Sequence, residues 1–151
     1  MQHMTPGKPF SYAEFRKIYS KVPRLSVDVV VYGPQGILLT LRSIEPHRNQ
    51  WHVPGSTVVY GEKIIDTVRR VARNELHVSI RPPEFLGFIE YNEEKQRGFG
   101  RSVSLVFLAE IRSGNPAPDK DASEAAFFSR LPKNMIREQK KFLAEHFPET
   151  A

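Results

Sequence analysis

A chain of 151 residues with 40% hydrophobic and 26% charged residues has the size and composition of one folded domain, which excludes a disordered or fibrous protein. The absence of cysteine excludes a disulfide scaffold, thiolate metal ligation and a cysteine nucleophile. The net charge of +5 fits a soluble surface or an anionic small substrate, and neither basic cluster (Lys8, Arg16, Lys17, Lys21 and Arg24, or Lys133, Arg137, Lys140 and Lys141) carries the spaced aromatics of a single-strand nucleic-acid platform.

The opening "MQHMTPGKPF" has no apolar signal core, and runs such as "VDVVVY" are too short to span a bilayer, so the chain is expected in the cytoplasm with no membrane partner. "SYAEFRKIYSKV" predicts a short amphipathic helix, with Tyr12, Phe15, Ile18, Tyr19 and Val22 at helical spacing, Ser11 as its cap and Pro23 as its end. "LSVDVVVYG" reads as a strand apolar on both faces, "GPQG" as a turn and "ILLTLRS" as the returning strand of a hairpin. "WHVPGS" is a short strand ending in a turn. From Glu62 to about Leu76, Ile65, Val68, Ala72 and Leu76 form one apolar helical stripe. "PPEFLGFIEYN" and "RSVSLVFLAEI" predict strands around the polar loop "EEKQRGFG". "RSGNPAPDKDASE" is a loop, "AAFFS" a short strand and "NMIREQKKFLAEHF" a closing helix. This order predicts an α+β domain, an α/β/α sandwich with a mixed β-sheet.

At about 100° per residue, positions 71, 74, 75 and 78 share a helix face, and Glu75 lies on a flank of the apolar stripe with Arg73 on the other. A flank can face a neighbouring turn, and the nearest in sequence is Pro54-Gly55-Ser56. One carboxylate beside bare backbone carbonyls suits a hard, oxygen-seeking cation such as magnesium. Arg70, two turns after Glu62, is placed to pair with it. On these residues alone, a solvated charged helix face remains the more ordinary reading.

The stretch from Ser56 to Val78 resembles the Nudix box: Gly, five residues, Glu, seven residues, Arg-Glu, an aliphatic, any residue, Glu-Glu, any residue, Gly, an aliphatic. Ser56 stands at the first Gly, Glu62 at the Glu, Arg70 at the Arg and Glu75 at the last Glu, with the spacing intact. The lead-in "WHVPG", the preceding hairpin and the late "DASEAAFF" resemble the family's flanks, so the similarity covers roughly residues 25–130. The resemblance implies a Nudix domain over residues 25–151, with residues 1–24 a helical segment packed on it. The departures are Ser56 for Gly, Val71 and Asn74 for Glu, and His77 for Gly. Val71 cannot ligate and Asn74 offers a neutral oxygen, so at least one cation site of a multi-cation enzyme is lost.

The altered box is similar to that of the GDP-mannose mannosyl hydrolase branch, which keeps the Arg and last Glu and works with one magnesium. By that resemblance the metal ligands are the Gly55 carbonyl, Glu75 and Asp121; Glu75, Asp121, Arg70 and Glu62 make up the catalytic set; Arg42, Asp28 and Trp51 contact substrate. The branch's second phosphate Arg is Thr57 here, and its catalytic His is Ala122. The resemblance implies a hydrolase of a nucleoside diphosphate linked to a second group, foremost a nucleotide sugar such as GDP-mannose. It would use one magnesium, with manganese an alternative, and is compatible with a homodimer. Two rivals stay open: phosphoanhydride cleavage with Glu62, Glu75 and Asp121, and a nucleotide-binding module without turnover.

Single residues carry competing readings. Trp51 could stack on a base or ribose, but such a Trp is more often part of the core. Asp28, a charge within an apolar strand, requires a partner, for which Arg42 across the hairpin is one candidate. His52, His77, Glu90, Glu93, Glu94 and Glu124 are further candidates for a base, each also explained as an ordinary surface or core group.

Overall fold

The computed structural model describes residues 10–45, 47–92 and 101–151. Glu93, Glu94 and Lys8, singled out above, lie outside the described residues.

Helix α1 spans Tyr12–Tyr19 and begins as its sequence dictates. The Ser11 hydroxyl accepts from the Glu14 amide while the Glu14 carboxylate accepts from the Ser11 amide, a reciprocal capping box. The helix stops at Tyr19, before Pro23, and buries none of its residues.

Strand β1 (Arg24–Gly33) is central. It pairs in parallel with β7 (Ser102–Ala109) along its length, and β7 pairs antiparallel with β6 (Glu84–Tyr91). On its other edge β1 meets β2 (Gly36–Arg42) only beside their turn, at Tyr32 and Gly33. There β2 diverges, and β4 (Gly55–Thr57) takes its place, pairing Asp28 with Gly55. β2 continues between β3 (Trp51–His52) and β9 (Ala122–Phe128). The mixed sheet is therefore splayed beside Asp28 and Gly55. A separate ladder joins β5 (Ser79–Ile80) to β8 (Ile111–Ser113).

Both faces of β1 are covered, which is why its sequence is apolar on both. Val27, Val29 and Val31 pack with Val68, Val71, Ala72 and Leu76 of α2 (Ile64–Leu76). Val30 joins Ile37, Leu39 and Val106 against Phe142 and Leu143 of α3 (Arg137–His146), after which a single 3-10 turn, Pro148–Thr150, follows. Two helices on opposite faces of a mixed sheet make the α/β/α sandwich that the element order predicts.

Candidate active site

The site grows from the splay point. Glu62 lies just before α2, whose first helical residue is Ile64, and its carboxylate is fully engaged. Arg70 Nε donates to Oε2 and Nη2 to Oε1, each at 2.9 Å, while Thr67 Oγ1 donates to Oε1 at 2.7 Å and the Val59 amide at 3.2 Å. Burial alone would push the Glu62 carboxyl up, but these donors together hold it below the usual carboxylate range. The same guanidinium reaches the Thr57 carbonyl at 2.8 Å and Ser56 Oγ at 3.2 Å. Arg70 thus ties the turn carrying Gly55 to α2, and Ser56, standing where the box has Gly, supplies an extra acceptor. Both oxygens of Glu62 are spent on this tie.

The box departures now have physical places. Val71 is in the apolar core beneath β1, Asn74 is exposed, and His77 caps α2 in the left-handed conformation (φ 59°) that a glycine adopts at lower cost. Glu75 sits between them on the flank of the stripe. Its Oε2 is buried with no hydrogen-bond partner. Burial, then the neighbouring carboxylates Asp119 and Asp28, raise its pKa to about 8, against a weaker pull from Arg42 and Arg70.

Asp119 was not visible from sequence. The loop before β9 has no periodicity, and a turn decides which aspartate faces the helix: the Asp121 amide donates to Asp119 Oδ1 at 2.9 Å, and the Asp121 carbonyl accepts from Ser43 at 3.0 Å. Asp121 is fixed through its main chain, while the carboxylate acting on Glu75 belongs to Asp119. Among the described residues, no three His, Asp or Glu side chains are grouped as metal ligands.

Gly55 is needed for close approach. A Cβ there would lie 2.5 Å from the Val27 carbonyl oxygen and nearer still to Asp28 Oδ1. Asp28 is buried, and its Oδ2 accepts from the Tyr91 hydroxyl at 2.6 Å; the buried Ser104 hydroxyl, otherwise without a partner, lies beside it. Burial raises the Asp28 pKa to about 6, with Tyr91, Ser104 and Arg24 opposing. The cation acting on it is therefore Arg24, not Arg42 across the hairpin, because β4 replaces β2 alongside this part of β1. Tyr91, held by burial and by Asp28, is raised well above its ordinary value.

A cleft of about 280 Å³ opens over this floor, lined by Asp28, Arg42, His52, Gly55, Ser56 and Tyr91, with Phe15 of α1 and Gln139 of α3 at its walls. Trp51 does not line it; its ring packs edge-on against Phe128 at 4.7 Å, beside the α3 core. Gln139 accepts from the Val53 amide at 2.7 Å and lies beside the Tyr91 hydroxyl. The carboxyl of Glu138, its neighbour in α3, also has a buried, unpartnered Oε2. Glu90 and Glu124 are exposed on strands, Glu90 facing Arg101 at 3.9 Å, and Ala122 opens β9 opposite Arg42.

His52 is structural. It is buried against Thr40, with Nδ1 3.1 Å from Oγ1, and burial, Arg42 and His47 lower its pKa to about 4. The sign of its linkage follows. The unfolded chain takes up a proton below about pH 6.5 while the folded chain stays neutral until about 4, so stability falls as pH drops through that window. Between pH 7 and 5 the loss specific to this group is about 2 kcal/mol. Urea unfolding at both pH values should show His52→Gln less acid-sensitive than wild type by about that amount; equal slopes would contradict it.

A family model of the NUDIX domain matches residues 22–148. The chain belongs to the Nudix family. Within that family it is a Nudix-type hydrolase, and such enzymes work with divalent cations on nucleoside diphosphate compounds. It is 28% identical over 144 residues to the ADP-ribose pyrophosphatase of Methanocaldococcus jannaschii, with 84% of each chain covered. It is 41% identical over 78 residues to the low-salt glycan biosynthesis protein Agl8 of Haloferax volcanii; the match takes in 52% of this chain and spans about half of that relative (50%). Among solved structures, a MutT Nudix hydrolase from Burkholderia pseudomallei superposes with a TM-score of 0.74 at 22% identity, covering 81% of this chain and 96% of that one. A Francisella tularensis bifunctional NMN adenylyltransferase/ADP ribose pyrophosphatase, complexed with AMP and a manganese ion, gives 0.66 at 20% identity, covering 92% and 46%. These two likenesses establish the shared Nudix fold. Among the described residues no helix is long and apolar enough to cross a membrane.

Proposed function

We propose that this Nudix protein hydrolyses a nucleoside diphosphate joined to a sugar, with water attacking the anomeric carbon and the nucleoside diphosphate leaving. The observation carrying this reading is the state of the box carboxylates. Glu62 is consumed by Arg70, positions 71 and 74 hold Val and Asn, and Glu75 alone keeps a buried, unpartnered oxygen. An orphaned, buried carboxyl oxygen on which Asp119 and Asp28 act more strongly than Arg42 and Arg70 is short of positive charge, a deficit that a divalent cation would fill. Glu75 would hold that cation with the Gly55 carbonyl and a carboxylate of the 119–121 turn; magnesium suits these hard oxygens, and manganese is the alternative. When bound, the cation supplies charge stabilisation to the departing diphosphate.

The chain's own residues do the rest. Arg42, in the cleft wall, meets the diphosphate charge, which grows as the bond to the sugar breaks. Asp28, Tyr91 and Gln139 form a polar floor suited to a hydroxyl-rich group. A nucleoside diphosphate is a good leaving group, so attack at carbon depends less on a strong base than attack at phosphorus does. That fits Ala122 in the place where the mannosyl hydrolase branch has its His. The Agl8 relative, named for glycan biosynthesis, supports the same reading. Arg42→Ala should lower kcat/KM by about 10–100-fold, the worth of one charge-assisted hydrogen bond; an unchanged kcat/KM in steady-state assays would remove Arg42 from the mechanism.

The second reading, phosphoanhydride cleavage, is favoured by the ADP-ribose pyrophosphatase relative, whose match extends over most of both chains. A nucleotide-sugar panel with product identification separates the two. Free sugar plus nucleoside diphosphate supports attack at carbon; sugar phosphate plus nucleoside monophosphate supports attack at phosphorus.

A further inference from the structure

On the side of α2 away from the cleft, a second concavity of about 560 Å³ lies between the end of that helix and the β5–β8 ladder. Arg69, Arg73 and His77 reach it at intervals of four residues, which puts them on one helix stripe, and Arg112 reaches it from β8. Among the described residues no carboxylate lines it. Among the described residues Arg73 and Arg112 have no ion-pair partner, and Arg69 meets the exposed Asp66 at 3.6 Å within its own helix. Like charges one helical turn apart repel each other, so this arrangement is unfavourable unless something anionic joins it.

The ordinary explanation for a cation at a helix C-terminus is the negative end of the macrodipole. It accounts for Arg73. It does not account for Arg112, which a different element brings to the same hollow. The walls are also braced. The α2 end is closed by His77 in the left-handed conformation, with its amide bonded to the Arg73 carbonyl at 3.1 Å. Gly114 (φ +97°) packs so closely that a Cβ would lie 2.8 Å from the His77 carbonyl oxygen. The Ser79 and Ser113 hydroxyls bond to each other across the ladder at the same place, which leaves one hydroxyl hydrogen to donate at the rim.

We propose that this pocket binds the phosphate groups of a small phosphorylated molecule, at a site separate from the hydrolytic cleft and independent of how the substrate is cleaved. Guanidinium forks match phosphate oxygens two at a time, and two such forks from different elements can grip a diphosphate from both sides. Among the described residues no Phe, Tyr or Trp lines the hollow, which disfavours a strand of nucleic acid, whose bases need a series of stacking platforms.

The test is a titration of the full chain with inorganic pyrophosphate, without divalent cations, followed by NMR of backbone amides and arginine Nε–H groups. Saturable shifts at Arg73, Arg112, Ser79 and Gly114 are expected. In the Arg73→Ser/Arg112→Ser double variant affinity at those positions should fall at least about ten-fold, the worth of a lost charge-assisted contact. Both side chains are exposed, and the dispersion of the same spectra reports whether the variant is folded. Shifts confined to the cleft around Arg42 and Gly55, shifts that grow without saturating, or equal affinity in the double variant would overturn the proposal. So would a short single-stranded oligonucleotide that outcompetes pyrophosphate there with a steep salt dependence.

Discussion

Glu75→Gln is expected to raise the thermal midpoint of the cation-free protein and, at the same time, to abolish turnover. The two effects have one cause. A buried, unpartnered carboxyl oxygen beside Asp119 and Asp28 is unfavourable while no cation is present, so an uncharged amide of the same shape relieves it. The relief should be about 3 kcal/mol at neutral pH, because a carboxyl ionised in the unfolded chain must take up a proton to be buried with its pKa raised to about 8, and an amide carries no such cost. Turnover should fall by at least about 10³-fold, since even the outer partners of a metal ligand are worth 10–100-fold. Added magnesium should raise the midpoint of wild type, because a ligand that binds the native state stabilises it, and leave the variant unmoved. Calorimetric scans with and without magnesium, beside a turnover assay, measure all of this. A variant that is less stable than wild type and still active would show Glu75 to be an ordinary structural residue.

Replacing Arg70 should have the largest effect on stability. Its side chain is 5% exposed and that of Glu62 17%, and the pair is bidentate with further bonds to Thr57 and Ser56. Removing one member of a buried pair leaves the other without compensation, and such losses run to about 3–5 kcal/mol. Arg70→Met is therefore expected to cost about 3 kcal/mol in urea unfolding. Arg70→Lys should recover part of this, because a single ammonium cannot reproduce the fork. Glu62→Gln should cost less in the Arg70→Met background than in wild type, since the partner is already gone. A strictly additive pair would contradict the coupling. Because Arg70 also braces the turn that carries Gly55, the variant should lose activity beyond its loss of folded protein.

Much of this was legible in the sequence because periodicity and capping are local. Ser11 with Glu14, the stripe of α2, and the apolar runs of β1 and β7 specify their elements without help from the rest of the chain. The α2 stripe also places Glu75 on a flank, and the structure puts its carboxyl end at the edge of the core. What escaped was decided by tertiary contact. The β5–β8 ladder rests on two- and three-residue strands, too short for any pattern. Asp28 finds Tyr91 because β6 reaches it through β7, and it parts from the Arg42 region because β4 displaces β2; neither follows from hairpin logic. Trp51, for which the sequence favoured the core over a substrate contact, packs there because β3 brings it against Phe128. Asp119 became Glu75's neighbour through a turn made by its own side chain. The four-residue rhythm of Arg69, Arg73 and His77 was readable, but the arrival of Arg112 beside it was not.

Val71 and Asn74 look like losses when the box is compared with its family pattern. In the fold, Val71 completes the core under β1, and a carboxylate there would be a charge among apolar side chains unless a second cation compensated it. On the proposed reading the box is organised around one cation, held at Glu75. Counting the cations tests that most directly. Manganese titrated into the full chain and followed by electron paramagnetic resonance should show one tightly held ion per chain, lost in Glu75→Gln and retained in Asn74→Ala. Two or more tight ions, or a single ion unaffected by Glu75→Gln, would contradict the account.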